Sequence, residues 1–185
     1  MTITKKHTQI TIKGSDLKST YGVYIILIKD ALEIPTHYYI GQTGDAKHIS
    51  ARSAFYRIAA HLGYSKSTQN QLFKGIVKDQ NFHNDDNREV RKKVEAWLKD
   101  KTLEIHFYKT DDFDFLKEGK KEHPKNHKEH TIKRRKTLAL ETALLHELEK
   151  TSKLVRINKE EGLITYAKFE NQLENAQLII KELEL

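Results

Sequence analysis

Two stretches near the start of the chain, YGVYIILI at 21–28 and HYYIGQTGD at 37–45, decide its fold. The first is an almost unbroken run of aromatic and β-branched residues, which is typical of a buried strand. The second predicts another strand, and the Gly-Gln-Thr-Gly-Asp at its end is a turn signal. If the two strands pair, the hydroxyls of Tyr24 and Tyr39 come to one edge of a small sheet.

The composition describes a polar protein with one domain. The 185 residues suffice for a hydrophobic core, and 37% hydrophobic against 32% charged residues is typical of a soluble chain. No apolar run approaches the ~20 residues that span a bilayer, and the first residues lack the apolar core of a signal peptide. The absence of cysteine excludes disulfides and thiolate metal sites. We therefore expect a cytoplasmic protein without membrane contact.

The positive charge is concentrated in one segment. Residues 117–136 hold nine Lys or Arg and three Glu, a net +6, whereas the whole chain carries +7. DNA gains most from such a cluster because each neutralised phosphate releases counterions. We expect a basic loop inserted at about 111–131, and the helix start after it, to contact DNA through Lys120, Lys121, Lys125, Lys128, Lys133, Arg134 and Arg135. A solvated loop that lysines keep soluble is the alternative.

The remaining patterns alternate helices with strands, which predicts an α+β fold. Amphipathic or alternating spacing predicts helices at 51–62, about 67–78, 86–99 and about 133–150, and strands at 8–13, 21–29, 37–41 and 102–110. The main domain is expected over 1–165. Within 166–185, apolar residues at helical spacing predict an acidic C-terminal helix that packs on the core or on a second subunit.

The predicted helix over 51–62 carries two arginines, each with a partner four residues later. Residues at this spacing share a face of a helix. Arg57 and His61 form one pair, and Arg52 and Tyr56 form the other. An arginine at the edge of a core can present its planar guanidinium to a phosphate. We favour Arg57 with His61 because a mid-helix arginine is better fixed, and the second pair stays open.

Glu141 lies in KTLALETALLHELEK at 136–150, on the same helical stripe as Leu138, Leu145 and Leu148. A carboxylate in an apolar seam loses hydration and needs a cation or hydrogen bonds in compensation. Hard oxygen ligands suit Mg²⁺ or Mn²⁺, so we expect Glu141 to bind one divalent ion. A glutamate that reaches solvent or pairs with a basic neighbour is the alternative.

The tripeptides GVY at 22–24 and YIG at 39–41, with the residues above, resemble the GIY-YIG nuclease family, with valine in place of the first isoleucine. The resemblance implies a small, mainly antiparallel three-stranded central sheet flanked by helices. It also implies metal-dependent hydrolysis of a DNA phosphodiester with catalytic roles for Tyr24, Tyr39, Arg57, His61, Glu141 and Asn158. Glu141 would be the protein ligand of the metal. Asn158 has an alternative explanation as a turn-forming residue.

Within this resemblance, Tyr24 is the candidate general base. A free phenol titrates near ~10, so cationic neighbours must lower the pKa of Tyr24 if it is to act at neutral pH. Tyr39 and His61 would orient water or relay the proton. Lys47 and His48, which follow the second tripeptide, would contact phosphate.

The small size, the basic loop and a tail suited to dimerisation favour a type II restriction endonuclease. Such an enzyme would cut both strands of double-stranded DNA at a specific site as a homodimer, with one Mg²⁺ or Mn²⁺ per active site. Two alternatives stay open: a monomeric nicking or repair endonuclease, and a catalytically silent nucleic-acid-binding module.

Overall fold

The computed structural model describes residues 11–62, 71–82, 86–114, 127–158 and 171–185. A short 3-10 helix, Gly14–Leu17, precedes the first strand. The strands are β1 (Thr20–Lys29), β2 (Pro35–Gln42), β3 (Thr102–Asp112) and β4 (Val155–Arg156). The helices are α1 (Ala54–Leu62), α2 (Gln71–Asp79), α3 (Asn87–Leu98), α4 (Lys128–Thr151) and α5 (Asn171–Glu182).

The strands of the described residues form one mixed sheet in the order β3-β1-β2-β4. Strand β1 pairs antiparallel with both β2 and β3, and β4 pairs parallel with β2. The predicted α+β class is confirmed. A mainly antiparallel sheet of three strands was expected, and the sheet has four strands, of which the added β4 pairs parallel. The fourth strand has only two residues and is too short to show an alternating pattern.

Strand β1 is buried because helices cover both faces of the sheet. Val23, Ile25 and Leu27 pack with α4 and α5 on one face. Tyr24 and Ile26 point to the other face and join a cluster with residues of α1, α2 and α3. A strand covered on both sides needs apolar residues at every position, which explains the almost unbroken run in its sequence.

The acidic C-terminal helix α5 packs on the long helix α4. Ala176, Ile179 and Ile180 join Leu144 and Leu148 of α4 in the same buried cluster. The sequence left either the core or a second subunit as the partner of this helix, and its apolar face packs on the core.

Two helices begin at residues other than those predicted. Helix α4 begins at Lys128 instead of about 133, because the His127 side chain caps it and its Nδ1 accepts a hydrogen bond from the His130 backbone N–H at 3.1 Å. Helix α1 begins at Ala54 instead of 51. Neither start carries a strong apolar pattern, so spacing alone cannot locate it.

The ends of the predicted elements differ in two further places. Residues 11–13 are not in a strand, and the rest of the strand expected over 8–13 lies outside the described residues. The basic loop was expected at about 111–131, but strand β3 continues to Asp112, and 115–126 lie outside the described residues. None of the described helices is both long enough and apolar enough to cross a membrane.

Candidate active site at the edge of strand β2

Two glycines let aromatic side chains lie directly against the sheet backbone. Gly41 lies opposite Tyr24 in the β1–β2 register, and a Cβ atom at Gly41 would overlap the Tyr24 ring and hydroxyl. A Cβ atom at Gly22 would come within 2.7 Å of Phe107 Cε2. Tyr24 therefore lies over the strand that carries Tyr39, and the two rings stack with centroids 6.2 Å apart.

His61, at the end of α1, is held between Tyr24 and the start of α2. Its Nε2 lies 2.5 Å from the Tyr24 hydroxyl, and its Nδ1 accepts a hydrogen bond from the Gln71 backbone N–H at 3.3 Å. Burial, with the Arg57 charge, lowers the pKa of His61 to about 4. The imidazole is therefore neutral at pH 7. Since Nδ1 is an acceptor, Nε2 carries the proton and donates it to the Tyr24 oxygen.

Two side chains hydrogen-bond to the outer edge of β2: Asn158, which follows β4, and Arg57 on α1. Asn158 accepts a hydrogen bond from the Ile40 N–H at 2.8 Å through Oδ1 and donates to the Ile40 carbonyl at 2.5 Å through Nδ2. Two residues further along the strand, Arg57 Nε donates to the Gln42 carbonyl at 3.1 Å. These contacts position the strand that carries Tyr39, and a catalytic role for Asn158 stays a prediction.

The two arginine pairs of α1 lie in different surroundings. The Arg57 guanidinium influences the pKa of Tyr24, Tyr39 and Glu141, so its charge reaches all three. Arg52 instead pairs with Asp45 at 3.2 Å and lies over the ring of Tyr56, 4.9 Å from its centroid. Of the two pairs, Arg57 and His61 are the ones that meet the signature tyrosines.

Glu141 lies on α4 as a carboxylate without a direct partner. Within the described part of the chain it makes no hydrogen bond and no ion pair. Its side chain is partly exposed, yet the protein around it removes enough water to raise the pKa of Glu141 to about 7, although three arginine charges lower it. These charges belong to Arg57, Arg134 and Arg156. The Glu141 charge also raises the pKa of Tyr24 and Tyr39, which brings the acid and the phenols into one electrostatic neighbourhood.

The expectation that cationic neighbours lower the pKa of Tyr24 is wrong for this structure. Burial raises the pKa of Tyr24, and the Glu141 charge adds to the rise. The Arg57 charge and hydrogen-bonding interactions with Tyr39 and Arg57 act in the opposite direction but are outweighed. The cause is that Tyr24 is fully buried, and a phenolate loses its hydration there.

Arg134 belongs to this site, although the sequence suggested only a peripheral DNA contact. It precedes Glu141 by seven residues, about two helical turns, and therefore faces the same way. Its stem packs on Gly44, where a Cβ atom would lie 3.1 Å from Arg134 Cγ. Burial lowers the pKa of Arg134, while the charges of Glu141 and Asp45 raise it. The spacing from Glu141 was the signal that could have assigned it.

The other predicted DNA contacts are distributed unevenly. Lys133 is largely committed to the protein, because it pairs with Glu129 at 2.9 Å and donates to the Asp112 carbonyl at 2.9 Å. Its side chain is only 15% exposed. The exposed candidates are Lys47, His48, Lys128 and Arg135. Lys120, Lys121 and Lys125 lie outside the described residues.

The oxygen donors at this site fit a hard divalent cation held by few protein ligands. The described residues contain no group of three or more His, Cys, Asp or Glu side chains that could hold a metal. Mg²⁺ does not require such a cage, since it keeps several waters and commonly uses one or two carboxylates with substrate phosphates. Glu141, desolvated and without a protein partner, is a suitable single ligand.

A scan of protein-family models and searches of curated proteins and of solved structures found no match to this chain.

Proposed function

We propose that this protein is a metal-dependent endonuclease that hydrolyses DNA phosphodiester bonds. One observation carries the proposal: an unpartnered carboxylate, Glu141, lies within electrostatic reach of Arg57 and of the stacked phenols Tyr24 and Tyr39, with His61 bonded to the first of them. These groups come from β1, β2, α1 and α4, so the fold gathers them from four separate elements.

The charges of the site favour a phosphate diester as substrate. Three arginines act on Glu141, namely Arg57, Arg134 and Arg156, of which Arg156 also pairs with Glu149. The Arg57 guanidinium is fixed through Nε on the Gln42 carbonyl and also interacts with the Tyr24 hydroxyl, so it is held where a remaining terminal N–H could reach a phosphate oxygen. A preoriented guanidinium stabilises negative charge that develops in the transition state at no cost of reorganisation.

A divalent cation on Glu141 would supply charge neutralisation at the scissile phosphate and at the leaving oxygen. Because its pKa is about 7, Glu141 is partly protonated at neutral pH, and the cation must displace that proton. Cation affinity should therefore fall about tenfold per pH unit below 7 and level off above it.

Tyr24 can hold or release a proton under control of its neighbours. His61 Nε2–H donates to the Tyr24 oxygen, and Arg57 and Tyr39 also interact with it, so three donors favour the phenolate. Against them stand burial and the charge of Glu141. Neutralising Glu141 removes the smaller of the two factors that raise the pKa of Tyr24, and burial, the larger one, remains. We propose Tyr24 as the general base on this ground, with water entering past the partly exposed Arg57 and Glu141.

We further infer the restriction-type activity, in which both strands are cut at a specific site by a homodimer. The support is the concentration of a net +6 in residues 117–136, which extend into the first turns of the helix that bears Glu141 and would provide a DNA grip in the same domain. A nicking or repair enzyme that acts as a monomer remains the second candidate, because it needs the same site.

Supercoiled plasmid incubated with the protein and Mg²⁺ tests the proposal. We expect linear fragments with discrete ends, which open circles would replace if the enzyme nicks a single strand. Glu141→Gln should abolish cutting, whereas the matched change Glu174→Gln, at an exposed position of α5, should not. Intact plasmid with every divalent ion tried, together with retained DNA binding, would indicate a silent binding module and refute the nuclease.

Binding of Mn²⁺, followed by titration calorimetry without DNA, tests the cation site separately from activity. The affinity should decrease from pH 8 to pH 6 and should be lost in Glu141→Gln. Equal affinity in the variant would move the cation away from Glu141.

A further inference from the structure

A pocket of about 390 Å³ lies beside the start of α1. Its volume is within the ~300–1,000 Å³ range of small-molecule sites and far above the ~30 Å³ share of one water. Its walls combine aromatic and apolar side chains with serine hydroxyls and one arginine, namely Leu17, Ser19, Ser50, Arg52, Tyr56 and Phe113. None of these residues belongs to the candidate active site.

Arg52 and Tyr56 form a rigid planar surface in this pocket. The Arg52 guanidinium is stacked over the Tyr56 ring at 4.9 Å and is held by Asp45 through Nη2 at 3.2 Å. Its Nη1 is buried and makes no hydrogen bond to any described residue. A buried guanidinium nitrogen without an acceptor is costly, so a ligand atom that reached Arg52 Nη1 after a small side-chain shift would relieve that cost.

The exposed apolar surface around this arginine is unusual for a solvent-filled crevice. Tyr56 is 51% exposed and Leu17 is 56% exposed, and Phe113 closes the pocket from the end of β3. A flat ring with polar edges suits these walls better than a hydrated anion does, because it can stack on an aromatic or guanidinium plane and accept a hydrogen bond.

The pocket is tied to the candidate active site through the backbone. The Arg52 N–H donates to the Thr43 carbonyl at 3.1 Å, immediately after the end of β2. The Arg57 N–H donates to the Ser53 carbonyl at 3.2 Å, one helical turn from the pocket wall. The two sites therefore share the short segment between β2 and α1.

We propose that this pocket binds a nucleobase of the DNA, unstacked from its strand near the cleaved bond. This inference rests on the proposed function for its biological meaning, although the pocket itself can be tested without cleavage. The base would stack on the surface formed by Arg52 and Tyr56, with an edge oxygen or nitrogen accepting a hydrogen bond from the guanidinium. Removing a base from the stack costs a few kcal/mol, and the pocket would offset part of that cost.

The experiment uses the four deoxynucleoside monophosphates as probes at millimolar concentration, with inorganic phosphate as the reference. Backbone amide shifts of the wild-type protein are followed by NMR. We expect saturable changes at Ser19, Ser50 and Phe113 with nucleotides and none with phosphate. Tyr56→Ala and Arg52→Gln should each weaken binding at least about fivefold, the lower end of what base stacking on an aromatic side chain contributes. Tyr56→Phe keeps the ring and should retain the affinity.

Two results would overturn the proposal that the pocket binds a nucleobase. Equal shifts with inorganic phosphate would make it an anion site, and no saturable shift with any nucleotide would leave it without this ligand. Glu141→Gln is expected to bind nucleotides as the wild type does. Nucleotide binding by a protein that never cuts DNA would refute the nuclease and leave the pocket, whereas cutting without nucleotide binding would refute the pocket alone.

Discussion

The two faces of the central sheet are formed by the same strands but present different kinds of side chain. On the face covered by α4 and α5, β1 presents Val23, Ile25 and Leu27, and helix side chains such as Leu144 fill the space between sheet and helix. On the opposite face the same strand presents Tyr24, which is bonded to a neutral histidine and stacked on a second tyrosine.

The two faces differ in whether their buried tyrosine hydroxyls have hydrogen-bond partners. The Tyr24 hydroxyl has His61 at hydrogen-bond distance and a positive charge nearby. On the other face, the Tyr38 hydroxyl is buried and makes no hydrogen bond among the described residues. An organised polar cluster in a core indicates a function, because an apolar core of the same shape would be at least as stable. The comparison supports the proposed role of the phenols on one face, which Glu141 approaches from α4, the helix that covers the other face.

The largest expected effect separates the faces by activity. Tyr24→Phe should reduce the single-turnover cleavage rate by about 10²- to 10⁴-fold, the usual contribution of a general acid or base. Tyr38→Phe, the same change on the opposite face, should leave the rate unchanged. Circular dichroism must show that both variants are folded. Equal rates for wild type and Tyr24→Phe would end the assignment of Tyr24 as the base.

The second effect separates the faces by stability. Leu144→Ala on the α4 side removes a fully buried side chain and should lower the free energy of unfolding by about 2–5 kcal/mol. Leu178→Ala, at a position 65% exposed on α5, should change it by less than about 0.5 kcal/mol. Urea denaturation measures both. A comparable loss in the two variants would show that α5 is held through its outer surface.

The third effect is a gain of stability in a variant that loses activity. The pKa of Glu141 is raised from 4.5 to about 7 in the folded protein, so its ionisation favours the unfolded state. Below pH 4.5 Glu141 is protonated and its burial costs the folded protein nothing in ionisation. As the pH rises from 4.5 through 7 the free energy of unfolding falls, and the acid ionises in the folded state. Glu141→Gln cannot ionise and should be more stable than wild type by about 1–3 kcal/mol at pH 8, after allowance for the partial exposure of the side chain.

Thermal unfolding at pH 5 and pH 8, without divalent ions, measures this gain. The difference between variant and wild type should grow with pH, and Mg²⁺ should stabilise only the wild type. A glutamate that pairs for structural reasons would behave in the opposite way, since its replacement would destabilise the protein at pH 8.

Much of the core could be predicted from the sequence because its signals are local. Alternating or continuous apolar residues predicted β1, β2 and β3, and helical spacing placed Glu141 on a seam of leucines. The four-residue spacing offered two arginine pairs on α1, Arg57 with His61 and Arg52 with Tyr56, and did not choose between them. Such patterns survive in the structure because burial of a face is what forms the element in the first place.

The properties that depend on long-range packing could not be predicted. The rise in the pKa of Tyr24 comes from its complete burial over Gly41, which no local pattern contains. The bonds of Asn158 to Ile40 join residues 118 positions apart. Arg134 is the exception, because its seven-residue spacing from Glu141 is a local signal that could have placed both on one helix face.

The smallest expected effect concerns stability on the apolar face. Burial raises the pKa of Tyr38 to about 12, and the hydroxyl has no hydrogen bond to any described residue. Tyr38→Phe removes an unpaired polar atom and should therefore stabilise the protein by about 1 kcal/mol. Tyr24→Phe should have the opposite sign, because it leaves His61 Nε2–H without its acceptor. Urea denaturation of the two variants measures both signs. Loss of stability in Tyr38→Phe would show that its hydroxyl is paired through water, and the contrast between the faces would then rest on their chemistry alone.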